Sequence, residues 1–322
     1  MESVILDDVD RKLVHALQLD GRAPLRTVAA VLGVSENTVA RRYRRLRGAG
    51  VLRVVGAVNG SRLGYTSWLL RLQATPDAAG AIAAALARRD DTSWIYLVSG
   101  GTEVLCTTQV RSTADRDDLL LAKLPRTHRV LAMSAHALLA GYGIPTTWRG
   151  LASLDDDQAA ALRPPPVDSD DTPLALDPGD AALLDALARD GRTTYAELAT
   201  AAGSSVSTVR RRVEHLRHSG VLSLQLDIAA ESLGFAAQAR LWMTVQPSAQ
   251  VAVGEALATH PEVAFVAATT GVTNLTAAVQ CRDTRDLYRY LTERVAPFDA
   301  VRTLETAPVI RTVKRAGALL PT

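Results

Sequence analysis

A chain of 322 residues exceeds the size that one hydrophobic core usually serves, and 48% hydrophobic with 22% charged residues excludes wholesale disorder. The absence of a run of about 18 apolar residues excludes a membrane-spanning helix, and the start MESVILDDVDRK has acidic residues where a secretory leader needs basic ones. The net charge of +2 is a sum of opposites, with arginines crowded into two short stretches and acids crowded between them.

In chain order, Asp7 or Asp8 caps a predicted helix with Val9, Leu13, Ala16 and Leu17 on one face. A second helix carries Leu25, Val28, Ala29 and Leu32 and ends at Gly33, and Ser35 caps a third with Val39, Tyr43 and Leu46 inward. After Gly50 the pattern becomes extended. Strands are expected around Ser67–Ala74, Ser93–Ser99, Glu103–Val110 and Val130–Leu139, with helices at Asp77–Arg89 and Ala114–Leu124. Residues 152–175, rich in Pro, Asp and Ser, read as a solvated linker that Pro164, Pro165 and Pro166 stiffen. Its acids include Asp155, Asp156, Asp157, Asp168, Asp170 and Asp171.

The same order then returns. Asp177-Pro178 starts a helix with Leu183, Leu184 and Leu187 inward; Tyr195, Leu198, Ala199 and Ala202 mark the next, which Gly203 ends; Ser205 caps a third with Val209, Val213 and Leu216 inward. Strands Ala237–Gln246, Val263–Thr270, Leu275–Cys281 and Val301–Val313 alternate with helices Ala249–His260 and Thr284–Val295. Between Ala16–Leu52 and Ala186–Leu222, 17 of 37 aligned positions are identical, anchored by D-G-R, G-x-S-x-x-T-V-x-R-R and G-V-L. Self-similarity at this length marks a duplicated domain pair. The fold class is α+β: two copies of a three-helix, winged helix-turn-helix domain followed by a ferredoxin-like βαββαβ domain with both helices on one face of an antiparallel sheet. The expected divisions are 1–60, 61–151, the linker 152–175, 176–230 and 231–322.

A glycine turn before a Ser-capped third helix describes a helix-turn-helix, whose third helix enters the major groove of double-stranded DNA. Opposite its apolar stripe lie Ser35, Asn37, Thr38, Arg41, Arg42 and Arg45, and in the copy Ser205, Ser207, Thr208, Arg210, Arg211 and Arg212. Short hydroxyl and amide groups reach phosphates or base edges, and guanidinium forks suit phosphate and guanine. No acid interrupts Arg41–Arg47, whereas Glu214 dilutes the copy. The two third helices differ, so an imperfect palindrome is expected as the preferred site.

With these anchors in place, each half resembles the Lrp/AsnC-type regulators: a helix-turn-helix followed by an ACT-like, amino-acid-sensing sheet domain. The resemblance implies a cytoplasmic transcription factor that forms homo-oligomers and responds to a small amino-acid-like effector near the turn between the second and third strands. The matching turns are Ser99, Gly100, Gly101, Thr102 and Glu103, and Thr270, Gly271, Val272, Thr273 and Asn274. The family's turn carries acids after its glycine; here only Glu103 remains. No enzymatic activity, cofactor, metal or membrane partner is expected: phosphate loops and nucleophile motifs are absent, and His215-x-x-His218 lacks a third ligand. Cys106 and Cys281 read as separate buried thiols. Two alternatives remain. One is a sirohaem-type tetrapyrrole decarboxylase, which shares this layout, with His128, His136, Arg126 and Arg129 as candidates. The other is an architectural DNA binder without an effector.

Overall fold

The computed structural model describes residues 5–124, 129–167 and 172–316. Arg126, His128, Asp168, Asp170 and Asp171 therefore lie outside the described residues. In chain order the first half runs α1 (Asp8–Leu19), α2 (Leu25–Leu32), α3 (Glu36–Gly48), β1 (Leu52–Val58), β2 (Thr66–Ala74), α4 (Pro76–Ala87), β3 (Thr92–Val98), β4 (Glu103–Val110), α5 (Thr113–Asp117) and β5 (Val130–Gly143). After α6 (Asp156–Leu162) the second half repeats it as α7 (Asp180–Arg189), α8 (Tyr195–Ala202), α9 (Val206–His218), β6 (Leu222–Ile228), β7 (Ala237–Val245), α10 (Gln250–Ala258), β8 (Val263–Thr269), β9 (Leu275–Cys281), α11 (Thr284–Arg289) and β10 (Val301–Lys314). No helix among the described residues is long and apolar enough to cross a membrane.

Local chemistry sets the helix ends. Asp7 and Asp10 form a capping box at α1, each carboxylate accepting from the other's backbone N–H. Gly33 (φ 66°) and Gly203 (φ 59°) end α2 and α8 in the left-handed region, where a side chain would be strained. Two predicted helices differ from expectation: α5 and α11 are short and run into π-helical turns at Asp118–Lys123 and Tyr290–Val295. Buried residues there are five apart, Leu119 with Leu124 and Tyr290 with Val295. Wider i→i+5 turns keep both members of each pair on the sheet side.

The chain divides into two compact units, each taking pieces from both halves of the sequence: the described residues up to Gly64 with Leu151–Leu233, and Tyr65–Gly150 with those from Gly234 onward. In the first unit, Leu13, Leu17, Val28, Val39 and Leu46 are among the buried residues of one three-helix set. Leu187, Leu198, Val209, Val213 and Leu216 fill the other, together with Val54 of β1. β1 and β6 pair antiparallel, Val55 opposite Gln225. The presumed linker is partly structured: Asp155 caps α6, Ala159 and Leu162 are buried, and Gln158 Nε2 donates to the Val31 carbonyl at 3.0 Å. The A-A-A-L run inside the acidic stretch supplies that apolar face.

In the second unit the two predicted sheets are one closed barrel in the order β10-β3-β4-β2-β5-β8-β9-β7. Each half contributes four neighbouring strands, and the seams are β5 with β8 and β10 with β3. One face of each half-sheet packs on its own helices: Leu70, Leu72, Ile95 and Val104 on Ile82, Ala83, Leu86 and Leu119, and Leu241, Met243, Val266 and Leu275 on Val253, Leu257 and Tyr290. The other face points into the barrel, where Tyr96, Val98, Leu105, Trp242 and Ala307 cluster. Cys106 and Cys281 are unpaired and buried, and burial pushes each thiol up to about 12.

Candidate nucleic-acid interface

The third helices present their first turns to solvent. Ser35 caps α3, its Oγ accepting from Thr38 N–H at 3.1 Å, and Ser205 does the same for α9 with Thr208. Each hydroxyl pair is also in mutual contact, Ser35 with Thr38 at 2.9 Å and Ser205 with Thr208 at 2.8 Å. Asn37 and Arg41 are exposed beyond that cap on α3, and Ser207, Arg210 and Arg211 on α9. The Arg210 guanidinium lies 5.0 Å from the Tyr195 ring centre.

Three predicted DNA residues face the other way. Arg42 Nη1 reaches Asp7 at 2.6 Å and Asp10 at 2.8 Å, and Arg45 Nη2 reaches Asp10 at 2.5 Å. In the copy, Arg212 holds Asp180 through Nε at 2.7 Å and Nη2 at 2.5 Å, and Asp177 through Nη1 at 2.9 Å. Asp10 and Asp180 are buried, and a buried carboxylate is tolerable only beside a cation. Hydrogen bonding from Arg42 holds Asp7 below its usual range, and the same bonds raise Arg42. These arginines clamp the third helix to the first. The signal was in the sequence: Asp7 and Asp10 recur as Asp177 and Asp180 at the spacing that separates Arg42 from Arg212.

The shared D-G-R motif has a role that pattern reading missed. Arg22 donates to the carbonyls of Gly191 and Thr193, both at 2.8 Å, and Arg192 donates to those of Gly21 at 2.7 Å and Ala23 at 3.1 Å. Arg22 also stacks on Tyr195 and Arg192 on Tyr43. Two further ion pairs repeat the reciprocity, Arg47 with Asp190 at 2.6 Å and Arg217 with Asp20 at 3.0 Å. Glycine is needed at the centre, because a Cβ on Gly21 would come within 2.7 Å of the Leu224 carbonyl oxygen. Each copy therefore holds the other through a motif that both carry.

In the second unit the predicted effector turns are placed differently from one another. Ser99 (φ 53°), Gly100 (φ 72°) and Gly101 (φ 86°) form an exposed left-handed turn, closed by Thr102 Oγ1 donating to the Ser99 carbonyl at 2.8 Å. Glu103 is no free carboxylate. It is 5% exposed, accepting from Arg71 Nε at 2.6 Å and Ser99 Oγ at 3.1 Å. Arg71 also grips Glu305 and lies 3.9 Å over the Trp242 ring. Burial works against that cation, but bonds to Glu305 and Glu103 outweigh it and hold Arg71 above its usual pKa. In the other turn, Thr270 is bonded to Ala137 and His136 of β5. Val272 is exposed, and its carbonyl accepts from Thr244. The Thr273 carbonyl accepts from Thr269, and the Asn274 amide bridges both backbone groups of Val245 at 2.8 Å. A Cβ on Gly271 would strike the His136 ring.

His136, a candidate for tetrapyrrole chemistry, has Nδ1 against the Thr270 carbonyl and Nε2 against Ser134 Oγ. Arg129 is exposed and paired with Asp77.

The model described as AsnC-type helix-turn-helix domain matches residues 6–47 and again 176–217, and that described as Lrp/AsnC ligand binding domain matches 238–319. An uncharacterized HTH-type transcriptional regulator of Pyrococcus abyssi is 33% identical over 145 residues, 45% of this chain and 91% of its own length. The chain belongs to the Lrp/AsnC family. Regulatory protein AsnC of Escherichia coli K12 is similar at 28% identity over 146 residues, covering 43% of this chain and 96% of its own. These relatives match roughly one half of the duplicated chain.

A solved structure shares the whole tandem fold. The siroheme decarboxylase NirDL aligns over 98% of this chain and 95% of its own, with a TM-score of 0.64 and 15% identity. This likeness overturns the expectation that the chain is not an enzyme. A two-copy Lrp/AsnC layout is also the layout of a decarboxylase, so architecture does not exclude catalysis.

Proposed function

We propose that the chain is a cytoplasmic transcriptional regulator that binds double-stranded DNA through α3 and α9. The observation that carries this reading is the reciprocal clasp of Asp20-Gly21-Arg22 and Asp190-Gly191-Arg192, which makes two helix-turn-helix units a fixed pair within one chain. Beside it, both third helices leave hydroxyl and guanidinium groups at their starts, and α3 adds the exposed Asn37 amide. The base-edge and phosphate contacts fall to Asn37, Thr38, Arg41, Ser207, Thr208, Arg210 and Arg211, with Ser35 and Ser205 as caps. Footprinting on genomic fragments tests it: a protected imperfect palindrome is expected, and uniform protection without a site would instead mark an architectural binder.

A small effector, amino-acid-like in class, is placed at the turns Ser99–Glu103 and Thr270–Asn274. With Glu103 engaged by Arg71, recognition there falls to the backbone of the exposed Gly100 and the half-buried Gly101. Homo-oligomers are the assembly this reading expects. Solution mass with and without each amino acid tests both, since an effector of this kind shifts the mass.

The fold match to NirDL favours a second reading, decarboxylation of a sirohaem-type tetrapyrrole. A spectral titration with sirohaem separates the two, because tetrapyrrole binding moves the absorption band and carbon dioxide release identifies turnover.

A further inference from the structure

A cavity of about 540 Å³ opens in the second helix-turn-helix, between the start of α7, the α8–α9 turn and one side of α9. That volume lies within the range of small-molecule sites. Leu183, Ala202 and Val209 line its apolar part, and Ser204, Arg211 and His215 its polar part.

The copies differ at the residues that open it. Copy one has Val9 where copy two has Gly179, Leu32 for Ala202, Val34 for Ser204 and Arg45 for His215. Each of the first three exchanges removes aliphatic bulk. The space at Gly179 is open, since a Cβ built there meets nothing within 4 Å. The charge at this place changes too: Asp10 is held by both Arg42 and Arg45 in copy one, whereas in copy two Arg212 matches Arg42 and His215 stands where Arg45 was.

Both carboxylates on the wall are already engaged. Arg212 takes Asp180 through two nitrogens and Asp177 through the third, and Asp180 also accepts from the Asp177 N–H at 2.7 Å. The polar groups left to meet a ligand are therefore cationic or neutral: Arg211, His215 and the Ser204 hydroxyl. We infer that this cavity binds a small organic anion, a carboxylate with a short apolar body. Arg211 and His215 hold the carboxylate and the body rests against Leu183, Ala202 and Val209. The volume is several times that of an inorganic phosphate, which leaves the apolar part for carbon. Arg211 also stands on the proposed DNA face, so an occupied cavity withdraws one phosphate contact; that consequence rests on the DNA-binding reading, and the binding itself does not.

Calorimetry and thermal melting of the full chain with hexanoate, benzoate and isovalerate test it without DNA, so failure here is separate from failure of that reading. At least one of the three is expected to bind at one site per chain and raise the melting temperature. Arg211→Ala, and the double exchange Gly179→Val with Ala202→Leu that fills the space as copy one does, should each weaken binding about tenfold or more. Circular dichroism and the urea midpoint check that both variants stay folded. The inference is overturned if none of the three binds, if the filled variant binds as well as the parent, or if inorganic phosphate binds equally well, which would mark a subsite for a DNA backbone phosphate.

Discussion

Asp10 and Asp180 have side chains only 1% exposed, and each is held by an arginine from the third helix of its own copy. Taking the cation from a buried carboxylate leaves a charge unpaired in a low-dielectric site, a loss of ~3–5 kcal/mol. The two copies are not equally exposed to that loss. Asp10 keeps Arg45 when Arg42 is removed, while the corresponding neighbour of Asp180 is His215. Arg212→Ala is therefore expected to cost the full ~3–5 kcal/mol and Arg42→Ala about half as much, by the same argument. Urea unfolding of the two variants checks this, and equal losses would show that Arg45 does not hold Asp10. Part of this was legible in the sequence. Spacing located the arginines correctly on the third helix, but amphipathic reading counts every polar residue off the stripe as outward. Arg42 and Arg212 sit at the stripe's edge, and only the paired aspartates distinguish an inward clamp from an outward fork.

At the scale of elements, the D-G-R turns and α6 do what the sequence reading assigned to nothing. The turns were visible as a motif, yet their acceptors are backbone carbonyls about 170 positions away, which no local pattern encodes. Gly191→Val is expected to destabilise the first unit by ~1–3 kcal/mol, on the order of other overpacking changes. Its Cβ would already lie 2.8 Å from Val54 Cγ1. Protease resistance of the helix-turn-helix pair, compared with Gly80→Val on an open helix face, reads the effect. The segment before α6 is tied down by His15, whose Nδ1 accepts from the N–H groups of Ser153 and Leu154, both at 3.1 Å. Burial, with Arg163 nearby, lowers His15 below its ordinary 6.5. The folded chain then resists protonation that the unfolded chain accepts. The stabilisation is complete above about pH 6.5 and is lost as pH falls through the lowered value. Hydrogen exchange at Ser153 and Leu154 should quicken as pH drops below 6.5, after correction for intrinsic rates. His260 is lowered by burial as well, so the comparison needs His15→Gln, in which the pH dependence of these two amides should disappear.

For the molecule as a whole, duplication was the most legible fact, and closure of the barrel the least. The βαββαβ order comes from alternation in each half, but the expected strand Val130–Leu139 stops short of β5, which runs on through Ala140-Gly141-Tyr142-Gly143. Those residues form the seam with β8, Gly141 opposite Ala267 and Gly143 opposite Val266. Glycine there suits a crowded crossing, where a Cβ on Gly143 would come within 3.2 Å of Ala258 and Val266. The same duplication bears on DNA, because copies held by a symmetric clasp present unequal helices. Arg44 of α3 corresponds to Glu214 of α9, both exposed, and Ala40 corresponds to Arg210. In the proposed complex, one half-site would meet a cation where the other would meet an anion. Each phosphate contact adds about one unit to the slope of log affinity against log salt. Arg41→Ala and Arg211→Ala should each lower that slope by about one, whereas Arg42→Ala, already engaged by Asp7 and Asp10, should leave it unchanged. Glu214→Arg should raise the slope and draw the preferred operator toward symmetry, since it gives the weaker helix the charge of the stronger. Fluorescence anisotropy across a salt series, on the natural site and on a symmetrised one, reads both effects. A slope that Arg42→Ala lowers as much as Arg41→Ala would mean that the clamp opens on DNA and that the arginines turned inward here turn outward there.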